Sequence, residues 1–76
     1  MEWRSGTVAW FDAAKGFGFL LADDGAEVFV EFGSIDLPGY RTLTEGQQVS
    51  FTSARGRTGD EAVLVRPRAA VHEFAA

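Results

Sequence analysis

Cysteine is absent from the 76 residues, so neither a disulfide framework nor a thiolate metal site can reinforce the fold. Histidine occurs once, at His72, which leaves no pair of imidazoles for a metal and no histidine base in the body of the chain. No apolar run approaches the roughly 20 residues of a spanning helix. The start Met1-Glu2-Trp3-Arg4 also lacks the basic opening of a signal peptide, so the expected location is cytoplasmic with no membrane partner. Positive charge is scarce as well. Seven Lys and Arg face eleven Asp and Glu, for a net charge of −4. Lysine is confined to Lys15, and the arginines Arg4, Arg41, Arg55, Arg57, Arg66 and Arg68 are spread along the chain. Nucleic-acid binders are mostly basic, so a partner of that kind would have to be held by stacking more than by phosphate neutralisation.

What is present is a β pattern. A chain this short supports one domain and one modest core, and stretches rich in Val, Phe and Thr recur between Gly and Asp clusters at intervals too short for ordinary helices. Strands are expected at Arg4 to Phe11, Gly16 to Ala22, Glu27 to Phe32, Gln47 to Ser53 and Ala62 to Arg66. The step Asp24-Gly25 marks a tight hairpin, and Pro67 stops the last strand. Between Gly33 and Gly46 the pattern breaks into a long connection, anchored by Ile35, Leu37 and Leu43, whose length implies a function or attachment to the core. Val49 and Phe51 alternate with Gln48, Ser50 and Thr52, the pattern of a half-buried strand. The domain is expected to span residues 1–67, with 68–76 a loose tail.

Aromatic residues fall on the side of the sheet that should be wet. Lys15, Phe17 and Phe19 share one parity and Phe29 shares another with Glu31; an unpaired Lys or Glu is costly to bury, so the phenylalanines are carried outward with them. Three exposed rings on adjacent strands form an apolar patch that calls for a flat partner. In the first strand Val8 and Trp10 share a parity although one suits the core and the other a stacking surface; either a bulge separates them or Trp10 is core. No constellation points to an enzyme. Asp23-Asp24 reads as turn chemistry, Gly16-Phe17-Gly18 lies in a strand with no helix to follow, and nothing indicates a cofactor, a metal or a small-molecule substrate.

The runs Gly6-Thr7-Val8, Trp10-Phe11 and Lys15-Gly16-Phe17-Gly18-Phe19, then Val28-Phe29-Val30 with Phe32, then Gly39-Tyr40-Arg41-Thr42-Leu43 and Glu45-Gly46-Gln47 resemble the cold shock domain. The resemblance covers roughly residues 4 to 66. It implies an all-β, five-stranded antiparallel barrel of the oligonucleotide-binding (OB) type, acting as a monomer or weak dimer on single-stranded RNA or DNA, possible roles including that of an RNA chaperone. Carried over position by position, the stacking set is Trp10, Phe17, Phe19, Phe29 and Phe32, with Tyr40 where the family usually has Phe, Phe11 as a partly buried lesser member and Lys15 as the basic residue beside them. The family resolves Trp10 outward and Val8 inward. This chain departs from it at Ala9 for Lys, Asp12 for Asn and Glu31 for His, changes that make the binding face more acidic and imply weakened affinity, and Asp60 for Pro further acidifies the last hairpin loop. Glu31 can accept a hydrogen bond from the exocyclic amine of cytosine, which would shift preference away from thymine-rich strands. The alternative from a different class is a protein-interaction or self-association module that has lost nucleic acid and uses the same aromatic patch.

Overall fold

The computed structural model describes residues 2–37, 41–57 and 59–68. The strands β1 (Arg4–Asp12), β2 (Phe17–Ala22), β3 (Glu27–Glu31), β4 (Gln48–Arg55) and β5 (Asp60–Pro67) close into a barrel in the order β1-β2-β3-β5-β4. β1 pairs antiparallel with both β2 and β4, as do β2 with β3 and β4 with β5, but β3 and β5 run parallel through the pair Phe29 and Glu61. The barrel is therefore mixed, because β5 returns beside β3 only after the long connection and the β4–β5 hairpin have reversed the chain.

Local chemistry sets the turns. Ala22 and Ala26 close a three-residue loop in which Gly25 takes φ +94°, the Gly25 N–H donates to the Ala22 carbonyl and the Asp24 carboxylate accepts from the Ala26 N–H at 3.0 Å. Before β2, Asp12 folds back over its own turn, its Oδ1 accepting from the N–H groups of Ala14 and Lys15 at 3.0 Å each. Gly16 lies in this turn rather than in the strand, at φ +79°.

The core is aliphatic and β-branched in large part: Val8, Leu20, Val28, Val30, Val49 and Val65 all point inward, and Phe51, fully buried, is the only described aromatic ring wholly inside. The long connection is pinned at both ends. Ile35 bridges to Val65, the Asp36 N–H donates to the Val65 carbonyl, Leu43 is buried, and Gly46 and Gln47 exchange hydrogen bonds with Val8. Leu37, expected as a third anchor, is instead 36% exposed. Phe32, expected to end β3, starts a short 3-10 turn over Phe32–Ser34.

Strand β4 departs from strict alternation. Thr52, expected outside with Ser50, is fully buried beside Phe51, and the register between β4 and β5 slips after Thr52 so that Val63 is the extra residue, 45% exposed. A bulge of this kind turns adjacent residues to the same side.

Candidate nucleic-acid interface

A second bulge builds the outer face. Val8 pairs with Leu20 and Trp10 with Phe19, leaving Ala9 as the additional residue of β1. The bulge resolves the conflict of parity: Val8 is 2% exposed and Trp10 is 42% exposed. Beyond it, β1 lies so close to β2 that a Cβ on Gly18 would run into the Trp10 carbonyl oxygen and stand 2.7 Å from the Phe11 Cα. Glycine is required there by backbone approach.

The register then places the outward side chains in two rows across the sheet. One row holds Trp10, Phe19, Phe29 and Glu61, and the other Asp12, Phe17 and Glu31. Four rings close a cycle: Trp10 to Phe17 at 5.7 Å, Phe17 to Phe29 at 6.0 Å, Phe29 to Phe19 at 5.6 Å and Phe19 to Trp10 at 5.7 Å. The contacts are tilted or edge-to-face, the arrangements that ring quadrupoles favour. The three phenylalanines are half-buried because they cover one another, while Trp10 is exposed.

Phe32 stands apart from this cycle. It is 57% exposed at the start of the 3-10 turn and its ring leans over Gly16, where a Cβ would lie 2.9 Å from the Phe32 Cδ1. Its N–H donates to the Gly16 carbonyl at 2.8 Å, which ties the turn after β3 to the turn before β2. Phe11 points the other way. It pairs with the buried Gly18 and packs against the core cluster, so its ring does not join the outer cycle. Tyr40 lies outside the described residues, as do residues 69–76.

Charge around the rings is of both signs. Lys15 is exposed in the turn before β2, and Arg55 and Arg57 are exposed in the hairpin that leads to Glu61; none of the three forms an ion pair among the described residues. Arg4, by contrast, is committed, with ion pairs to Asp24 and Asp60 at 3.3 Å each, a hydrogen bond to Ser53 at 2.8 Å and its guanidinium over the Phe51 ring. Arg66 pairs with Asp36 and lies over Trp3. The carboxylates of Asp12, Glu31 and Glu61 frame the platform, but in different states. Asp12 is held by its turn, Glu61 is laid back against Gly56, and Glu31 is exposed with no hydrogen bond or ion pair among the described residues. The place of Glu61 was not legible from sequence, since it follows from the parallel β3–β5 pairing between segments thirty residues apart. No group of acidic, His or Cys side chains among the described residues is arranged to hold a metal ion, and no described helix is long and apolar enough to cross a membrane.

Over residues 4–68 the sequence matches the 'Cold-shock' DNA-binding domain family. It is 46% identical over 65 residues to Cold shock protein 2 of Lactiplantibacillus plantarum, covering 86% of this chain and 98% of that protein. It is 48% identical over 60 residues to the Major cold shock protein of Streptococcus pyogenes, covering 79% and 90%. The Cold shock-like protein of Thermotoga maritima is 44% identical over 61 residues, covering 80% and 92%.

Proposed function

The chain belongs to the cold-shock domain family, a nucleic-acid-binding family, and we propose that it binds single-stranded RNA or DNA by stacking successive bases on Trp10, Phe17, Phe19, Phe29 and Phe32. The observation that carries this reading is the closed cycle of four rings on the outer face of β1, β2 and β3. A ring offers a face to any base, and each stacked base contributes roughly 1–3 kcal/mol. Because the rings stand on paired strands and brace one another, little ordering of the protein opposes binding. Lys15, Arg55 and Arg57 are the free cations best placed to meet phosphates.

Against this, Asp12, Glu31 and Glu61 repel a polyanion, each by at most about 1 kcal/mol when exposed and screened by salt. Three working stacks supply about 3–9 kcal/mol, so micromolar affinity is the upper limit once the strand is ordered. With so few cations to displace counterions, affinity should fall only shallowly as salt rises. Weak, rapidly reversible stacking of this kind suits an RNA chaperone, which must release what it melts, and the cytoplasm is where such transcripts are found.

The test is quenching of Trp10 fluorescence, in a Trp3→Phe background that removes the other indole, on titration with short single strands and with a duplex of the same sequence. Saturable quenching by single strands alone is expected. No quenching at low salt by a folded protein would overturn the reading and turn the platform over to a protein partner.

A further inference from the structure

We propose that Glu31 is a base-selecting residue, favouring bases that present amino or imino donors, guanine first, and disfavouring thymine and uracil. The inference rests on the stacking reading above and assigns specificity to one position of it. Glu31 pairs directly with Phe17 across β2 and β3 and shares its strand face with Phe29. Cross-strand neighbours hold their Cβ atoms about 5 Å apart, so a base lying on Phe17 brings its edge within reach of the Glu31 carboxylate. Phe32 follows immediately in the chain, so this acid stands between the four-ring cycle and the outlying ring.

Of the three framing carboxylates, Glu31 is the one free to make such a contact. The Asp12 side chain is engaged by the Ala14 and Lys15 N–H groups, and Glu61 is turned back against Gly56. An ionised carboxylate only accepts hydrogen bonds. Guanine offers it N1–H and N2–H2 side by side, matching its two oxygens. Cytosine and adenine each offer one amine beside a ring-nitrogen acceptor. Thymine and uracil offer a single N3–H between two carbonyl oxygens, which face the carboxylate with like partial charge. The order of preference is therefore guanine, then cytosine and adenine, then thymine or uracil.

This contact differs in kind from repulsion of phosphates. Repulsion lowers affinity for every strand equally and is screened by salt, whereas edge recognition changes a ratio between bases. The experiment titrates the full chain and its E31Q variant with a short thymine strand carrying one guanine stepped along its length, and with cytosine and adenine counterparts, at low and physiological salt. Expected is a preference of about fivefold for the best-placed guanine over thymine, the lower end for a two-point base contact, persisting at both salts and reduced to near unity in E31Q. Equal binding of all strands by the wild type would overturn the inference while leaving the stacking reading intact. A uniform rise in affinity of E31Q for every strand, with base ratios unchanged, would also overturn it, since Glu31 would then act by charge alone. Absence of binding to any strand would remove the stacking reading and this one together. Glu31 is exposed at the end of β3, so the variant should melt like the wild type.

Discussion

Replacing Phe29 with alanine separates the two roles of the platform rings. Phe29 touches both Phe17 and Phe19, at 6.0 and 5.6 Å between ring centroids, and lies at the centre of the outer sheet with Phe19 and Glu61 in register on either side. Its removal deletes one stacking surface, worth about 1–3 kcal/mol, so affinity for a short single strand should fall between about fivefold and 150-fold. Two ring contacts are lost as well, at about 0.5–1.5 kcal/mol each. Because Val28 and Val30 on either side remain buried in the core, the variant should still fold, with stability lowered by about 1–3 kcal/mol. The assay pairs a Trp10 fluorescence titration with a urea unfolding curve. Phe11→Ala serves as the contrast: its ring packs on the core, so stability should fall more and affinity less. An affinity for F29A within about twofold of the wild type, in folded protein, would refute the reasoning, because the central ring would then contribute no stacking.

Asp12→Asn keeps an oxygen for the Ala14 and Lys15 N–H groups while removing a charge. It should leave unfolding within about 0.5 kcal/mol of the wild type and strengthen oligonucleotide binding a few-fold at low salt, less at high salt; unchanged binding would show that this acid does not oppose the strand. Gly18→Ala drives a Cβ into the Trp10 carbonyl, and because the obstacle is backbone, urea unfolding should report a loss of about 2 kcal/mol or more. Thr52 is fully buried and its Oγ1 has no hydrogen-bond partner among the described residues. Thr52→Val removes that stranded hydroxyl at constant shape and should raise stability by about 1 kcal/mol; a lower urea midpoint would mean that the hydroxyl is engaged.

Alternation and turn chemistry made most of the barrel legible. Val28 and Val30 inside with Phe29 and Glu31 outside follow from the cost of burying an unpaired carboxylate, and the Asp24-Gly25 hairpin follows from the conformation that its glycine accepts. Legibility ended where the period of two is broken. Val8 and Trp10 share a parity but not a face, because Ala9 is a bulge, and Thr52 is buried where alternation puts it outside, next to the slip at Val63. Nothing local in these residues marks a bulge; it is imposed by the curvature of a closed barrel. Lys15 also illustrates the limit. It lies in the turn rather than in β2, so its exposure carries no information on strand parity, and the outward placement of Phe17 and Phe19 rests on their pairing with Asp12 and Trp10.

The division of labour between the two faces explains why so small a chain can leave aromatic rings outside. Its interior is closed by Phe51 and β-branched aliphatics, which fit the curved inner face, and the outer phenylalanines recover part of their cover from one another. The platform is consequently formed by the fold itself. Trp10 is turned outward by the bulge at Ala9, so altering that bulge also alters the barrel. Of the carboxylates at the platform border, Asp12 holds the turn before β2, whereas the exposed Glu31 side chain makes no hydrogen bond or ion pair among the described residues. On the proposed stacking reading, a change at Glu31 can therefore alter affinity and base preference while the ring surface stays as it is.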